Sequence, residues 1–149
     1  MPTRRIAQIV HLKPSAIAAY KECHANVWPE VLQQIKECNI RDCIDHHPLP
    51  SPPPFPRHER EAEAEAEANI GQRLFADSIF FDNERTLFAT FKYVGEDFDG
   101  DMQRMKANPK VREWWGLTDG MQESPIPGAI GSAEGPGWWK VLDEVFYTE

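Results

Sequence analysis

The sequence predicts an α+β fold in which one antiparallel sheet carries helices on one face. Two observations support this class. First, β-rich runs occur near both ends of the chain, and two more lie side by side in its second half. Second, apolar residues at helical spacing follow the first run and follow these two adjacent runs. The predicted order is β-α-β-β-α-β, which is the ferredoxin-like arrangement of the dimeric α/β-barrel type. The length of 149 residues fits a single domain.

The first half is predicted to form a strand and an interrupted helix. Residues 5–12 are rich in β-formers and stop before Pro14, which, with Ser15, suits a helix start. Four residues then recur at helical spacing and should share one face: Ile17, Tyr20, His24 and Trp28. Pro29 cannot continue this helix but can begin another, reaching about Cys38. We therefore expect a kinked or broken helix, with the bend near His24 and Trp28.

The second half is predicted to contain a hairpin, two helices and a last strand. Residues 77–82 and 85–94 are β-rich runs joined by a short turn. In the second run Leu87, Ala89, Phe91 and Tyr93 share one side, and Phe88, Thr90 and Lys92 the other. Acidic residues favour a helix start near 97–101, and Asn108-Pro109 separates that helix from a short one carrying Val111, Trp114 and Trp115. Residues 124–137 should form a loop, and residues 144–147 the last strand.

Charge and cysteine content narrow the range of partners and compartments. The chain has 16 basic and 24 acidic residues, a net charge of −8, which disfavours a nucleic acid or an anionic membrane as partner. Its cysteines, Cys23, Cys38 and Cys43, are odd in number and have no metal-ligand spacing. The N-terminal apolar run is short and is interpreted as a strand, not as a signal peptide. We expect a cytoplasmic protein without a metal site.

The residues able to do chemistry form an aromatic and histidine group. The sequence contains no glycine-rich phosphate loop, no zinc pattern and no serine nucleophile elbow. Tyr20, His24 and Trp28 could line a sugar pocket with the Trp114-Trp115 pair, since indole rings stack on sugar C–H faces and histidine titrates near neutrality. Such stripes more often only fill a core, and spacing alone favours that alternative. The pair Trp138-Trp139 is predicted to anchor the C-terminal loop.

Several motifs in the same order resemble the L-rhamnose mutarotase family. Residues 20–30 read Tyr-Lys-Glu-Cys-His-Ala-Asn-Val-Trp-Pro-Glu and resemble the Y-x-x-x-H-x-x-[IV]-W-P-E signature of that family. Residues 78–82 and 87–90 look like its middle strands, residues 112–115 like its paired tryptophans, and residues 144–147 like its closing strand. The resemblance covers nearly the whole chain outside residues 43–77.

The resemblance implies a homodimer that needs no cofactor and interconverts the α and β anomers of L-rhamnose. By matching motif, His24 would be the proton donor, and Tyr20, Trp114 and Trp115 would contact the sugar. One departure is Asp77, which stands where the family has a sugar-contacting tyrosine. The competing hypothesis is a cofactor-free oxygenase or a small-ligand-binding module, because these also use the ferredoxin-like fold. The W-P-E after His24 and the tryptophan pair favour the mutarotase.

The chemistry of anomer exchange makes modest demands on a protein. The ring oxygen must gain a proton while the anomeric hydroxyl loses one, and the roles reverse on reclosure. A single group that titrates near neutrality can serve, and positioned proton transfer contributes roughly 100- to 10,000-fold. Tyr20, one turn from His24, could hold a hydroxyl or act as a second proton partner. No covalent intermediate is required.

Residues 43–77 are predicted to be a low-complexity, disordered insertion that interrupts the domain. They combine a proline-rich run with Glu-Ala repeats that have no apolar stripe to bury. If Cys43 is encoded TGT and the Ala76-Asp77 junction GCAGAC, a segment beginning GT and ending AG fits between them. Its removal creates a tyrosine codon before Ser78 and restores the missing tyrosine. We interpret the segment as retained intron; a genuine lineage-specific loop is the alternative.

Overall fold

The centre of the fold is a pair of long antiparallel strands. The computed structural model describes residues 3–41 and 78–148. β1 (Arg4–Leu12) pairs with β4 (Thr86–Tyr93) in a register that runs from Arg4 opposite Tyr93 to His11 opposite Thr86. Both strands are rich in β-branched and aromatic residues, which suit a pleated surface with one buried face.

Short strands extend the sheet on both sides of this pair. β2 (Ile40–Arg41) and β3 (Ser78–Phe81) both pair with the outer edge of β4, whereas β5 (Gln122–Glu123) and β6 (Lys140–Leu142) both pair with the outer edge of β1. All pairings are antiparallel. The predicted α+β class, with an antiparallel sheet and the β-α-β-β-α-β order, is confirmed, and two short strands are added to it.

The described residues contain four helices in the predicted order. A 3₁₀ turn (Pro14–Ala16) leads into α1 (Ile17–Ala25), and α2 (Pro29–Glu37), α3 (Phe98–Ala107) and α4 (Pro109–Met121) follow. Asp97 caps α3 by accepting a hydrogen bond from the Gly100 amide, and Asn108 caps α4 by accepting from the amides of Lys110 and Val111. The last helix has 13 residues and is longer than the sequence predicted.

Of the two predicted forms of the first helical segment, the broken helix is the one observed. α1 ends at Ala25, and Trp28 is extended, with φ −62° and ψ 136°. A residue before proline is disfavoured in the helical conformation, so Trp28 precedes Pro29 as the cap of α2. Trp28 therefore does not continue the helical stripe of Tyr20 and His24, although it lies close to them in space.

The face of the sheet toward the helices carries the core. Leu87, Ala89, Phe91 and Tyr93 of β4 are buried, as the alternation predicted. Two clusters of buried residues cover this face. One consists of Ile6, Cys38, Ile40, Phe91, Met105 and Val111, and the other of Val10, Leu12, Tyr20 and Leu87.

A buried carboxylate fastens α3 to the sheet. Asp101 is 2% exposed and accepts hydrogen bonds from the Tyr93 hydroxyl at 2.7 Å and from the Asn39 amide at 2.8 Å. It also pairs with Arg104 on the next turn. Asn39 follows α2 in the left-handed conformation, with φ 59°, which asparagine tolerates better than most residues. This arrangement joins the end of α2, β4 and the first turn of α3.

The last strand differs from the prediction. The structure places it at Lys140–Leu142, paired with β1, and residues 143–148 are outside the sheet. The β-formers at 145–147 are exposed and extend beyond the last paired residue. Propensity without a pairing partner does not make a strand.

The flanks of the predicted insertion meet at one point of the sheet. Arg41, the last described residue before it, pairs with Lys92, and Ser78, the first after it, pairs with Thr90. Only Phe91 lies between these two positions of β4. The insertion itself, with Cys43 and Asp77, lies outside the described residues. No helix within residues 3–41 and 78–148 is long and apolar enough to span a membrane.

Candidate active site

Two helices bring the predicted site residues together. The rings of Tyr20 and His24, one turn apart on α1, stack with centroids 4.1 Å apart and an interplanar angle of 26°. Trp114 of α4 presents its ring edge-on to His24 and to Trp28, at 5.3 Å from each. The break before Pro29 thus places Trp28 against Trp114, and the four rings form one cluster.

This cluster borders a cavity between the helices and the sheet. The cavity has a volume of about 510 Å³, and its wall includes Tyr20, His24, Trp114 and Trp115. Its floor is formed by inward-facing residues from neighbouring strands: Gln8, Ile79, Ala89 and Val141. A second space of about 290 Å³ also reaches Tyr20, His24 and Ile79. Mostly apolar walls with a few polar groups are typical of small-molecule pockets. Residues of both core clusters line the cavity, among them Phe91 of the first and Tyr20 of the second.

The imidazole of His24 is fixed by its own helix. Its Nδ1 lies 3.1 Å from the Tyr20 carbonyl oxygen, which can only accept, so Nδ1 carries the proton and Nε2 keeps a lone pair. Burial lowers the pKa of His24 below its ordinary value of 6.5, and the bond to the Tyr20 carbonyl opposes part of that shift. The resting histidine at neutral pH is therefore a neutral base that lines the cavity.

The phenol of Tyr20 is held in its protonated form. Burial raises the pKa of Tyr20 well above its ordinary value, against the opposing effect of a hydrogen bond from Gln122. That bond joins Gln122 Nε2 to the Tyr20 hydroxyl oxygen at 3.2 Å. Tyr20 is thus suited to hydrogen bonding and not to releasing a proton.

A cysteine beside the histidine has no nucleophilic activation. Cys23 Sγ lies 3.2 Å from His24 Nδ1 and 3.2 Å from the Tyr20 carbonyl oxygen. Burial first, and the charge of Glu22 second, raise the pKa of the Cys23 thiol. A thiol in this state is a weak nucleophile, so the arrangement supports proton transfer rather than covalent catalysis.

Two residues that sequence reasoning did not assign to the site also line the cavity. Gln122 of β5 is buried, and Trp138 donates to it through Nε1 at 2.9 Å. Trp138 also helps to hold the C-terminal loop, because its carbonyl oxygen accepts from the Ser124 hydroxyl at 2.5 Å. The Gly-Trp-Trp context signals an aromatic anchor, but nothing in the local sequence distinguishes Gln122 from a surface glutamine.

His46, His47, His58 and Asp77 lie outside the described residues. Within residues 3–41 and 78–148, no three histidine, cysteine or acidic side chains are grouped so that they could hold a metal ion.

Comparison with known proteins adds two findings. A family model described as L-rhamnose mutarotase matches residues 5–44 and 57–148. A crystal structure of an L-rhamnose mutarotase from Formosa agariphila is similar with a TM-score of 0.57 and 24% sequence identity, over 98% of this chain and 99% of that one. At this identity the structural likeness bears on the fold alone. A search of curated protein sequences gave no match.

Proposed function

The chain belongs to the L-rhamnose mutarotase family, and from this premise we propose which of its residues bind the sugar and which one moves the proton. As a member, it is an isomerase that interconverts the α and β anomers of L-rhamnose. The assignment of His24 as the proton-transfer residue is carried by one observation: its neutral ring, with a lone pair on Nε2, borders the cavity.

His24 acts first as a base and then as an acid. Nε2 takes the proton of the anomeric hydroxyl while the bond between C1 and the ring oxygen breaks and C1 becomes a carbonyl carbon. The imidazolium then gives its proton to the ring oxygen. Both oxygens are bonded to C1, so one imidazole can serve both. Rotation about C1–C2 and the reverse steps close the ring on the other face.

The remaining residues hold the sugar. Tyr20, with its protonated phenol, donates a hydrogen bond to a sugar oxygen. Trp114 and Trp115 offer indole surface for the apolar C–H faces of the pyranose. Trp114 also holds the His24 ring by its edge contact, so it supports the proton-transfer residue as well as the ligand.

Substitution of His24 tests the assignment. We expect His24→Gln to lose roughly 100- to 10,000-fold in catalysed anomer exchange, because the amide keeps the polarity but cannot accept and return a proton at neutral pH. Magnetisation exchange between the two anomeric proton signals of L-rhamnose measures the rate. Glu22→Gln on the exposed side of the same helix is the matched control. A folded His24→Gln protein with most of the wild-type rate would remove His24 from the mechanism.

We propose that the protein is a homodimer. Phe80 and Phe88 pair opposite each other on the sheet face away from the helices, and they are 62% and 41% exposed. Ile9 lies beside Phe88 on the same face. Val145 and Phe146, beyond the last strand, are 95% and 80% exposed. Apolar patches of this kind are usually covered by a partner, and a second copy of the chain fits the symmetry of most oligomers.

We also propose that residues 43–77 are an insertion into a single edge strand. The support is the register: β2 and β3 follow one edge of β4, with one position between them opposite Phe91. In a chain that runs from Asp42 through one tyrosine to Ser78, the tyrosine would oppose Phe91. That position faces the cavity side, because Phe91 does. The extra residue, Asp42, would form a β-bulge.

We propose a cytoplasmic location for the protein. Cys23 and Cys38 are free thiols, and Cys38 is fully buried in the core. Free thiols persist in reducing compartments, which supports this location.

A further inference from the structure

A glutamine amide joins the side chains of Tyr20 and Trp138. Gln122 is 3% exposed, and its Nε2 lies 3.2 Å from the Tyr20 hydroxyl while its Oε1 lies 2.9 Å from Trp138 Nε1. All three residues border the cavity. Tyr20 belongs to α1, Gln122 to β5 and Trp138 to the segment before β6, so three separate parts of the chain meet at this amide.

The chemistry of the indole fixes the direction of both hydrogen bonds. An indole N–H can only donate, so the amide oxygen of Gln122 must face Trp138. Its NH₂ group must then face Tyr20, and the phenol oxygen is the acceptor. Gln122 therefore gives Tyr20 no acceptor for its own hydrogen. The single O–H of Tyr20 remains available for a group in the cavity.

We propose that Gln122, held by Trp138, is a positioning residue that directs the Tyr20 hydroxyl hydrogen toward the ring oxygen of the bound sugar. This inference rests on the proposed function. The ring oxygen has no hydrogen and can only accept until the ring opens. It then carries the developing negative charge, so a directed donor is worth more in the transition state than in the ground state.

A structural role alone makes a different prediction. If Gln122 only satisfied buried polar groups, its replacement would lower the free energy of unfolding. The ratio of variant to wild-type kcat would then not change with pH. A directing role depends on the order of donor and acceptor at position 122. That order can be changed and restored in one variant by titration.

Gln122→Glu provides this titration. An ionised carboxylate accepts from both neighbours and takes the Tyr20 hydrogen away from the sugar, and we expect kcat to fall about 10- to 100-fold, the range for a hydrogen bond to a charged group. A protonated carboxyl has one donor and one acceptor and restores the order of the amide. The ratio of variant to wild-type kcat should therefore rise as the pH is lowered from about 8 to 5, a range in which a buried glutamic acid titrates. Gln103→Glu, exposed on α3, is the matched control and should give a flat ratio.

Trp138→Phe is a second variant that keeps an aromatic ring and removes the N–H. The Gln122 amide can then turn and accept the Tyr20 hydrogen, and we expect a lower kcat with a smaller change in KM. A ratio of Gln122→Glu to wild-type kcat that does not change with pH would overturn this inference but not the proposed function. If Gln122→Glu does not fold, a wild-type kcat for Trp138→Phe would have the same consequence. A wild-type protein that does not accelerate exchange would overturn the proposed function and this inference with it.

Discussion

The imidazole of His24 is buried and bonded to its own helix, and both features affect how it titrates. Burial disfavours the charged ring more than the Tyr20 carbonyl favours it, so the pKa is lowered. The neutral ring, which has the lone pair that the proposed mechanism requires, thus persists to lower pH than in a free histidine. Because the pKa of Tyr20 is raised, its hydroxyl stays protonated to a pH far above neutrality.

The acid limb of the pH profile should reflect this shift. As the pH falls, the rate is lost only when Nε2 becomes protonated, and we expect the midpoint in kcat/KM below the ordinary histidine value of 6.5. Anomer exchange measured across this range gives the midpoint. NMR titration of the His24 ring, assigned by its absence from His24→Gln, should give the same value. A midpoint at or above 6.5 would contradict the burial described for this ring.

Truncation of the tryptophan pair should separate binding from proton transfer. Trp115→Ala removes cavity wall without touching His24, and we expect the sugar dissociation constant to rise about 3- to 10-fold with kcat nearly unchanged. Trp114→Ala should weaken binding and also lower kcat, because it removes the edge contact to His24. Leu117→Ala, exposed on the same helix, is the control. Unchanged sugar affinity in both tryptophan variants would show that the two tryptophans only pack the core and do not bind the sugar.

The four residues that the motifs predicted for the site line one cavity, and Gln122, which lines it too, stands in no motif. Tyr20, His24, Trp114 and Trp115 were predicted, and the structure places them around one cavity. Gln122 could not be found, because its role depends on an indole 16 residues further along the chain and a phenol 102 residues earlier. Contacts of that separation are set by the fold and leave no local pattern.

At the scale of elements, α3 depends on a charge that is out of water. The carboxylate of Asp101 sits in the first helical turn, where the helix dipole favours it, and two neutral donors and one arginine satisfy it. Arg104 is largely exposed, so solvent screens its contribution. The buried bonds from Tyr93 and Asn39 are therefore the main stabilising contacts.

Loss of this charge should destabilise the fold. Asp101→Asn removes the charge that strengthens the bonds from Tyr93 and Asn39, and it places an NH₂ group opposite Arg104. We expect the free energy of unfolding to fall by about 3 kcal/mol, the scale of one or two charged hydrogen bonds. Urea unfolding at neutral pH measures it. Asp99→Asn changes an exposed residue of the same helix and should stay within about 0.5 kcal/mol of wild type. Equal midpoints for the two variants would show that Asp101 is not an anchor.

Helices and strands were predictable where the periodic segment packs or pairs with another element. The alternation at 87–93 predicted which face of β4 is buried, because that strand lies in the middle of the sheet. The strand predicted at 144–147 was wrong, since its β-formers find no pairing partner, whereas the paired segment begins at Lys140 directly after two tryptophans. Pro29 predicted a bend, but the position of the break depended on the conformation that proline imposes on Trp28.

At the scale of the whole molecule, the outer sheet face should determine the oligomeric state. Sedimentation at micromolar concentration should show a dimer. Phe80→Lys with Phe88→Lys should shift it toward monomer, because two charges would be buried without partners. Ile130→Lys, at an exposed position in the C-terminal loop, is the control for adding charge. A wild-type monomer would refute the proposal.

The shortened chain should be the better enzyme. Replacing residues 43–77 by one tyrosine gives Asp42-Tyr-Ser78, and we expect this protein to fold and to bind L-rhamnose more tightly than the full chain, through the added hydroxyl on the cavity side. The same chain with phenylalanine at that point keeps the shape without the hydroxyl and should bind more weakly. Equal affinity in the full and shortened chains would remove the tyrosine from the site.

Genomic and transcript sequences across Asp42 to Ser78 test the origin of the segment separately. Codons without GT and AG at the two junctions would end the intron interpretation and leave a lineage-specific loop. The folding and binding of the shortened chain would be unaffected by that result.

The cavity, which residues of both core clusters line, makes stability and turnover compete. Ring opening lengthens the substrate, and rotation about C1–C2 needs room that a closely packed interior would not leave. A larger side chain at Ala89, on the cavity floor, would fill part of this space and gain packing contacts, but it would occupy the volume in which we propose that the open sugar turns. Selection for thermal resistance and selection for catalytic speed therefore act in opposite directions on the same few positions. Substitutions meant to raise the thermal stability of this protein should therefore be made on its surface and at its helix caps, and the cavity should be left unfilled.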